Sequence, residues 1–113
     1  MINIGSIYRP ETHIGKLLFI GRKSSFKKAP TSSYDLSILG NPFPMEGKED
    51  RDNSCDKYRL WIKEQYENDP QIQKVINKLA KCYSSEKQYT LLCFCYPKRC
   101  HANEIINLIL SII

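Results

Sequence analysis

Apolar and polar positions change their period along this chain. Ile2 to Tyr8 alternates loosely, as a half-buried strand does, and Leu17-Leu18-Phe19-Ile20 is a continuous apolar run that suits a buried strand before Gly21-Arg22. Past Asn53 the spacing shifts to three and four. Tyr58, Trp61, Ile62 and Tyr66 mark the inner face of one helix capped by Asn53. Ile72, Val75, Ile76, Leu79 and Tyr83 mark a second, with Asp69 as its cap and Pro70 at its first position. Gln88 to Tyr96 is apolar on both faces, the pattern of a central strand covered on each side. The last helix, running to Ile113, is apolar almost all round, which predicts deep burial or a homodimer through this C-terminal helix.

This order of elements predicts an α/β fold: one small sandwich over residues 1–113, a short mainly parallel sheet with helices on both faces. The alternative is an antiparallel first pair, because the gap from Tyr8 to Leu17 is too short for a crossover helix. With 113 residues, 42% of them hydrophobic, there is room for one core. Residues 23–52 form a long connection rich in Ser, Lys and Pro, the kind that is either functional or disordered. Its stiff Asn41-Pro42 and Pro44 turns favour function for that half.

Charge narrows the ligand. The net charge of +5 is uneven: +4 over residues 1–48, −2 over 49–68 and +3 over 69–113. Two positive ends around an acidic middle favour an anionic small molecule. Nucleic acid is less attractive, since most aromatics fall in helical stripes and do not interleave with the cations. No signal-peptide pattern stands at the N-terminus and five cysteines leave one unpaired, so the thiols read as reduced and the setting as cytoplasmic. No apolar run approaches the roughly 20 residues that span a bilayer, so no membrane partner is expected.

The segment Leu92-Cys93-Phe94-Cys95-Tyr96-Pro97-Lys98-Arg99-Cys100-His101 carries the candidate chemistry, at a place where a strand ends and a helix begins. Zinc is one reading, but Cys93 and Cys95 lack the knuckle spacing of structural sites and a second ligand pair, so no metal is assigned. Nucleophilic catalysis by Cys100, with His101 as acid or base, is a second, weakened by the absence of a glycine-rich anion loop and of a carboxylate to orient His101. In the third, Cys93 and Cys95 pack, while Arg99, His101 and the uncapped amides of the last helix accept a phosphate or carboxylate. Arg22 and Ser24 in Gly21-Arg22-Lys23-Ser24-Ser25 extend that anion site, and Asn41 and Phe43 offer an amide and an aromatic face to a base or ribose. The pattern calls for no cofactor.

Taken together, Ile20-Gly21-Arg22, Leu39-Gly40-Asn41-Pro42-Phe43, Tyr58 with Trp61, and Leu92-Cys93-Phe94-Cys95 followed by Pro97 and Cys100-His101 resemble domain-of-unknown-function family 4326 of bacteria and their phages. Members of that family follow Cys-His with Gly-Asp, where this chain has Ala102-Asn103, so the family aspartate has no counterpart here. The resemblance implies a shared pocket in a phage or bacterial setting, with the ligand open. The leading expectation is a binder of a nucleotide or related phosphorylated molecule, lined by Arg22, Ser24, Asn41, Phe43, Arg99 and His101, that sequesters a defence signal. The alternatives are a nucleotide or N-glycosidic hydrolase using the same pocket, and an inhibitor that binds a host defence protein.

Overall fold

Strands β1 (Ile2–Ser6), β2 (Lys16–Phe19), β3 (Tyr34–Asp35) and β4 (Tyr89–Cys93) form one sheet in the order β1-β4-β2-β3. The computed structural model describes residues 1–45, 47 and 50–113. Every pairing is parallel, with Ile2 opposite Tyr89, Lys16 opposite Tyr89 on β4's other edge, and Leu18 opposite Tyr34. Between β1 and β2 the chain makes no crossover helix, as its length requires. A 3₁₀ turn over Pro10–Thr12 instead carries it past the slot that β4 later fills. The first two strands are therefore parallel without being neighbours, in place of the antiparallel alternative.

The α/β sandwich expected from the element order is present, with unequal layers. Helices α1 (Arg51–Asn68), α2 (Pro70–Ser84) and α3 (His101–Ile112) share one core with a single face of the sheet: Tyr58, Ile62, Ile76, Leu79, Ile105 and Ile109 close on Leu18, Ile20, Leu91 and Cys93. The other face, which carries Leu17, Phe19, Thr90 and Leu92, is covered by short 3₁₀ segments and a file of aromatic rings. Phe19 meets Phe26 at 5.6 Å and Phe94 at 6.0 Å, and Phe94 meets Tyr8 at 5.8 Å. Burial on both faces explains why β4 reads as a continuous apolar run.

Several boundaries move. Strand β4 stops at Cys93 rather than Tyr96, because the chain turns immediately, Lys98 N–H reaching the Cys95 carbonyl at 2.8 Å. Helix α1 starts at Arg51, ahead of the expected Asn53 cap, since tertiary bonds hold its first turn: Arg51 donates to the Arg99 carbonyl at 3.1 Å and the Ser54 hydroxyl to the Phe43 carbonyl at 3.1 Å. The long connection contains β3 and two 3₁₀ helices, Lys23–Lys28 and Ser37–Leu39, and so is largely ordered; Glu46, Lys48 and Glu49 lie outside the described residues. Helix α3 is less uniformly covered than its composition predicts. It buries Ile105, Leu108 and Ile109 but leaves Leu110, Ile112 and Ile113 exposed near its end.

At the α1–α2 corner the expected cap is present: the Asp69 carboxylate accepts from the amides of Gln71 at 2.9 Å and Ile72 at 3.4 Å. Asp69→Ala is expected to cost about 1 kcal/mol in urea unfolding, the usual worth of such a cap.

Candidate functional site

The carboxyl ends of β1, β2 and β4 open on a cleft of about 370 Å³, within the size range of small-molecule sites and where parallel sheets collect ligands. Tyr8 reaches it from beyond β1, Gly21 and Arg22 from beyond β2, Phe94 and Cys95 from beyond β4, Asn41 and Phe43 from the proline-stiffened turn, and Cys100 and His101 from the start of α3. Gly21 is required by crowding: a Cβ there would stand 2.5 Å from Phe19 Cζ and 2.9 Å from Phe94 Cε2. Its missing side chain lets the aromatic file reach the cleft floor.

Lys23–Lys28 sorts the basic segment. A 3₁₀ helix repeats every three residues, so Arg22, Ser25 and Lys28 share the face that lines the cleft, and Ser24, one position off the repeat, is replaced by Ser25. Arg51, at the first turn of α1, adds a third cation. Among the described residues none of Arg22, Lys28 or Arg51 forms an ion pair. Lys23 is spent elsewhere, on Asp35, and that contact holds the Asp35 carboxyl down at about 2.

A model of the family described as domain of unknown function DUF4326 matches residues 9–111, a stretch holding every cleft residue except Tyr8. The chain belongs to the DUF4326 family. No curated protein and no solved structure gives a significant match.

In this DUF4326 domain, several side chains expected to grip a ligand are engaged within the fold. Arg99 lines the cleft, but its charge is engaged within the fold. Its guanidinium bonds Asp52 and Asp56 at 2.9 Å each, and Glu104 at 3.4 Å, so three carboxylates neutralise the cation expected to meet an anion. Bonds to Asp56 and then Asp52 raise its pKa further. His101 also lines the cleft and is likewise engaged. Its Nε2 lies 2.7 Å from the Ile20 carbonyl, which can only accept, so Nε2 carries the proton and Nδ1 is the acceptor. Burial pushes its pKa below the ordinary histidine value, leaving a neutral imidazole edge-on to Tyr58 at 5.1 Å, a pin between β2 and α3 and not a cationic clamp.

The amides of α3 are less available than an uncapped start implies. Asn103 Oδ1 accepts the Cys100 amide at 2.9 Å, and the Asn103 amide donates to the Cys100 carbonyl at 3.0 Å. Asn41 also turns inward, its Oδ1 accepting from the Phe43 amide at 2.9 Å and its Nδ2 donating to Ser54 at 3.0 Å. It positions Phe43, which stacks edge-on with Trp61 at 6.5 Å while lining the cleft.

The thiols invert expectation. Cys100 donates to Cys93 at 3.1 Å, and that bond together with burial drives the Cys100 pKa far upward. The same bond, with the backbone amides of Cys95 and Tyr96, brings Cys93 down to about 7 despite its burial. The acidic member of the pair is the strand cysteine, so Cys100 is not the activated nucleophile. Among the described residues no three His, Cys, Asp or Glu side chains converge as a metal-binding set, and no helix is long and apolar enough to cross a membrane.

Sequence reasoning missed Lys28, Arg51, Ser25, Tyr8, Phe94, Met45 and Cys55 as cleft residues. Only Lys28 carried a usable signal: it completes the period-three series from Arg22. Arg51 stands in the most acidic stretch of the chain, where local charge hides it.

Proposed function

We propose that the cleft binds a nucleotide or a related phosphorylated small molecule and holds it without turnover. One observation carries this reading: Arg22, Lys28 and Arg51 meet Tyr8, Phe43 and Phe94 at the carboxyl end of a parallel sheet. Phosphate oxygens suit the cations, which form charge-assisted hydrogen bonds, and a base suits the aromatic rings. General acid–base work needs a group that can exchange a proton near neutral pH. The described lining holds no carboxylate, and its imidazole is committed to Ile20, which favours binding over hydrolysis. In the phage or bacterial setting implied by the sequence resemblance, such a protein would act by withdrawing a nucleotide signal.

Calorimetry against nucleoside mono- and diphosphates, cyclic dinucleotides and ADP-ribose derivatives tests this reading. At least one member is expected to bind more tightly than about millimolar, to weaken with salt, and to emerge unchanged by mass spectrometry after long incubation. Arg51→Ala is expected to cost that ligand about tenfold or more, since a hydrogen bond to a charged group is worth about 1.5–3 kcal/mol. A panel without a binder refutes the proposal; a consumed ligand replaces it with the hydrolase.

A further inference from the structure

We propose that Cys93 and Cys100 form an oxidation site, at which a small hydroperoxide converts the pair reversibly into an intramolecular disulfide. The inference rests on the placement of the two sulfurs and is independent of which ligand the cleft holds. Cys93 ends β4 and Cys100 immediately precedes α3, so the turn between them returns the chain on itself and leaves the sulfurs 3.1 Å apart. A disulfide needs about 2.05 Å, a change of roughly one ångström that side-chain rotation can supply.

The surroundings divide the labour between the thiols. The Cys93 sulfur accepts the Cys100 S–H at 3.1 Å and, as a thiol, donates to the Gly5 carbonyl at 3.4 Å; the Cys100 bond first, then the backbone amides of Cys95 and Tyr96, lower its pKa to about 7 and favour the thiolate. Cys100 lines the cleft and Cys93 does not, and both are buried, so a hydroperoxide little larger than water reaches the pair from the cleft side through a local opening of that wall. Of the other three thiols, Cys95 lines the cleft and is the competitor that the test below separates, while two are less suited. Cys55 is buried with its pKa raised, chiefly by desolvation, and Cys82 lies on α2, away from the cleft lining.

In the first step the Cys93 thiolate attacks one peroxide oxygen and the O–O bond breaks. The departing oxygen takes a proton and leaves as water, or as the alcohol of an organic hydroperoxide, and Cys93 becomes the sulfenic acid. In the second, the Cys100 sulfur attacks the Cys93 sulfur, the S–O bond breaks, and the hydroxide takes up the Cys100 proton and leaves as water. Two thiols lose two electrons and the peroxide gains two. A small thiol reductant reverses the change by exchange. Because Cys100 forms cleft wall beside His101, oxidation alters the wall of the site itself.

The test treats the folded, fully reduced protein with hydrogen peroxide, blocks remaining thiols with iodoacetamide, and digests it with trypsin under non-reducing conditions. Cleavage after Lys98 and Arg99 places Cys93 and Cys95 in residues 88–98 and Cys100 in residues 100–113. The expected product is a linked pair of these peptides, with fragmentation placing the bond on Cys93 and dithiothreitol restoring the thiols. Cys95→Ser is expected to keep the link and Cys93→Ser to abolish it. Recovery of Cys93 and Cys100 both alkylated, or a bond on Cys95 instead, or irreversible overoxidation of the pair without a link, would each overturn the proposal.

Discussion

Arg99→Ala is expected to destabilise the protein by about 2–3 kcal/mol, and Glu104→Gln is expected to restore at least half of that loss. Glu104 has only 3% of its side chain exposed, and Arg99 is its ion-pair partner among the described residues. Removing one member of a buried pair costs about 3–5 kcal/mol because the other charge is left without compensation. Two features lower the figure here: Arg99 is a third exposed, and Asp52 and Asp56, at 81% and 61%, regain water when it leaves. In thermal unfolding the single variant is expected to lose on the order of 10 °C. The double variant separates two roles for this arginine. If Arg99 were held in reserve for a ligand, its removal would leave stability near wild type and Glu104→Gln would restore nothing.

The second large effect concerns pH. Burial, and secondarily the charge of Arg22, keep His101 neutral in the fold by pushing its pKa below the usual value, while the bond to the Ile20 carbonyl opposes them. The unfolded chain has no such constraint and its imidazole protonates near about 6.5. Below that pH the unfolded state binds a proton that the folded state refuses, so stability falls as pH falls, by up to about 1.4 kcal/mol per pH unit. The contribution is complete above the unfolded pKa and is lost on the way down toward the folded one. Unfolding free energies from urea titrations between pH 7 and 5 are expected to decline as the pH falls. His101→Gln, whose amide can still donate to Ile20, is expected to flatten that decline while starting from lower stability. Asp35 does not confuse the window, because its loss begins only near its unfolded pKa of about 4 and extends down to about 2. An unchanged slope in His101→Gln would show that His101 is not the group responsible.

Much of this architecture is legible in the apolar periods. Leu91-Leu92 announces a strand buried on both faces, and β4 lies between β1 and β2; Ile72, Ile76 and Leu79 announce α2, with Asp69 and Pro70 marking its start. What escaped reading was held by tertiary bonds. Strand β3 is two residues long and pairs only because β2 offers it an edge, with the Leu36 amide reaching the Phe19 carbonyl at 2.8 Å. No local period marks such an element.

The cleft was legible in position more than in charge. Strand ends and the Asn41-Pro42-Phe43 turn converge on one opening, so Arg22, Asn41, Phe43, Arg99, Cys100 and His101 share its wall. Protonation and pairing were not readable, because they depend on residues distant in sequence. Arg99 loses its availability to Asp52 and Asp56 on another helix, and His101 to a carbonyl 81 residues away. Arg51, in a stretch of net negative charge, becomes a cleft cation only when α1 packs against the end of β4 and the start of α3.

The central claim is that this opening, and no other part of the surface, receives a phosphorylated ligand. A second groove of about 620 Å³ along β1, lined by Ile2, Ile4, Tyr83, Tyr96 and Ile106, is a natural competitor and carries no basic side chain among the described residues of its lining. Backbone amide chemical shifts, followed while the tightest-binding nucleotide of the panel is titrated into the labelled protein, distinguish the two. The account predicts that the largest changes fall on Gly21, Arg22, Ser25, Phe43, Arg51 and Phe94 and disappear in the Arg22→Ala, Arg51→Ala double variant. Changes centred on Ile4, Tyr83 and Ile106, or changes that survive the double variant, would contradict it.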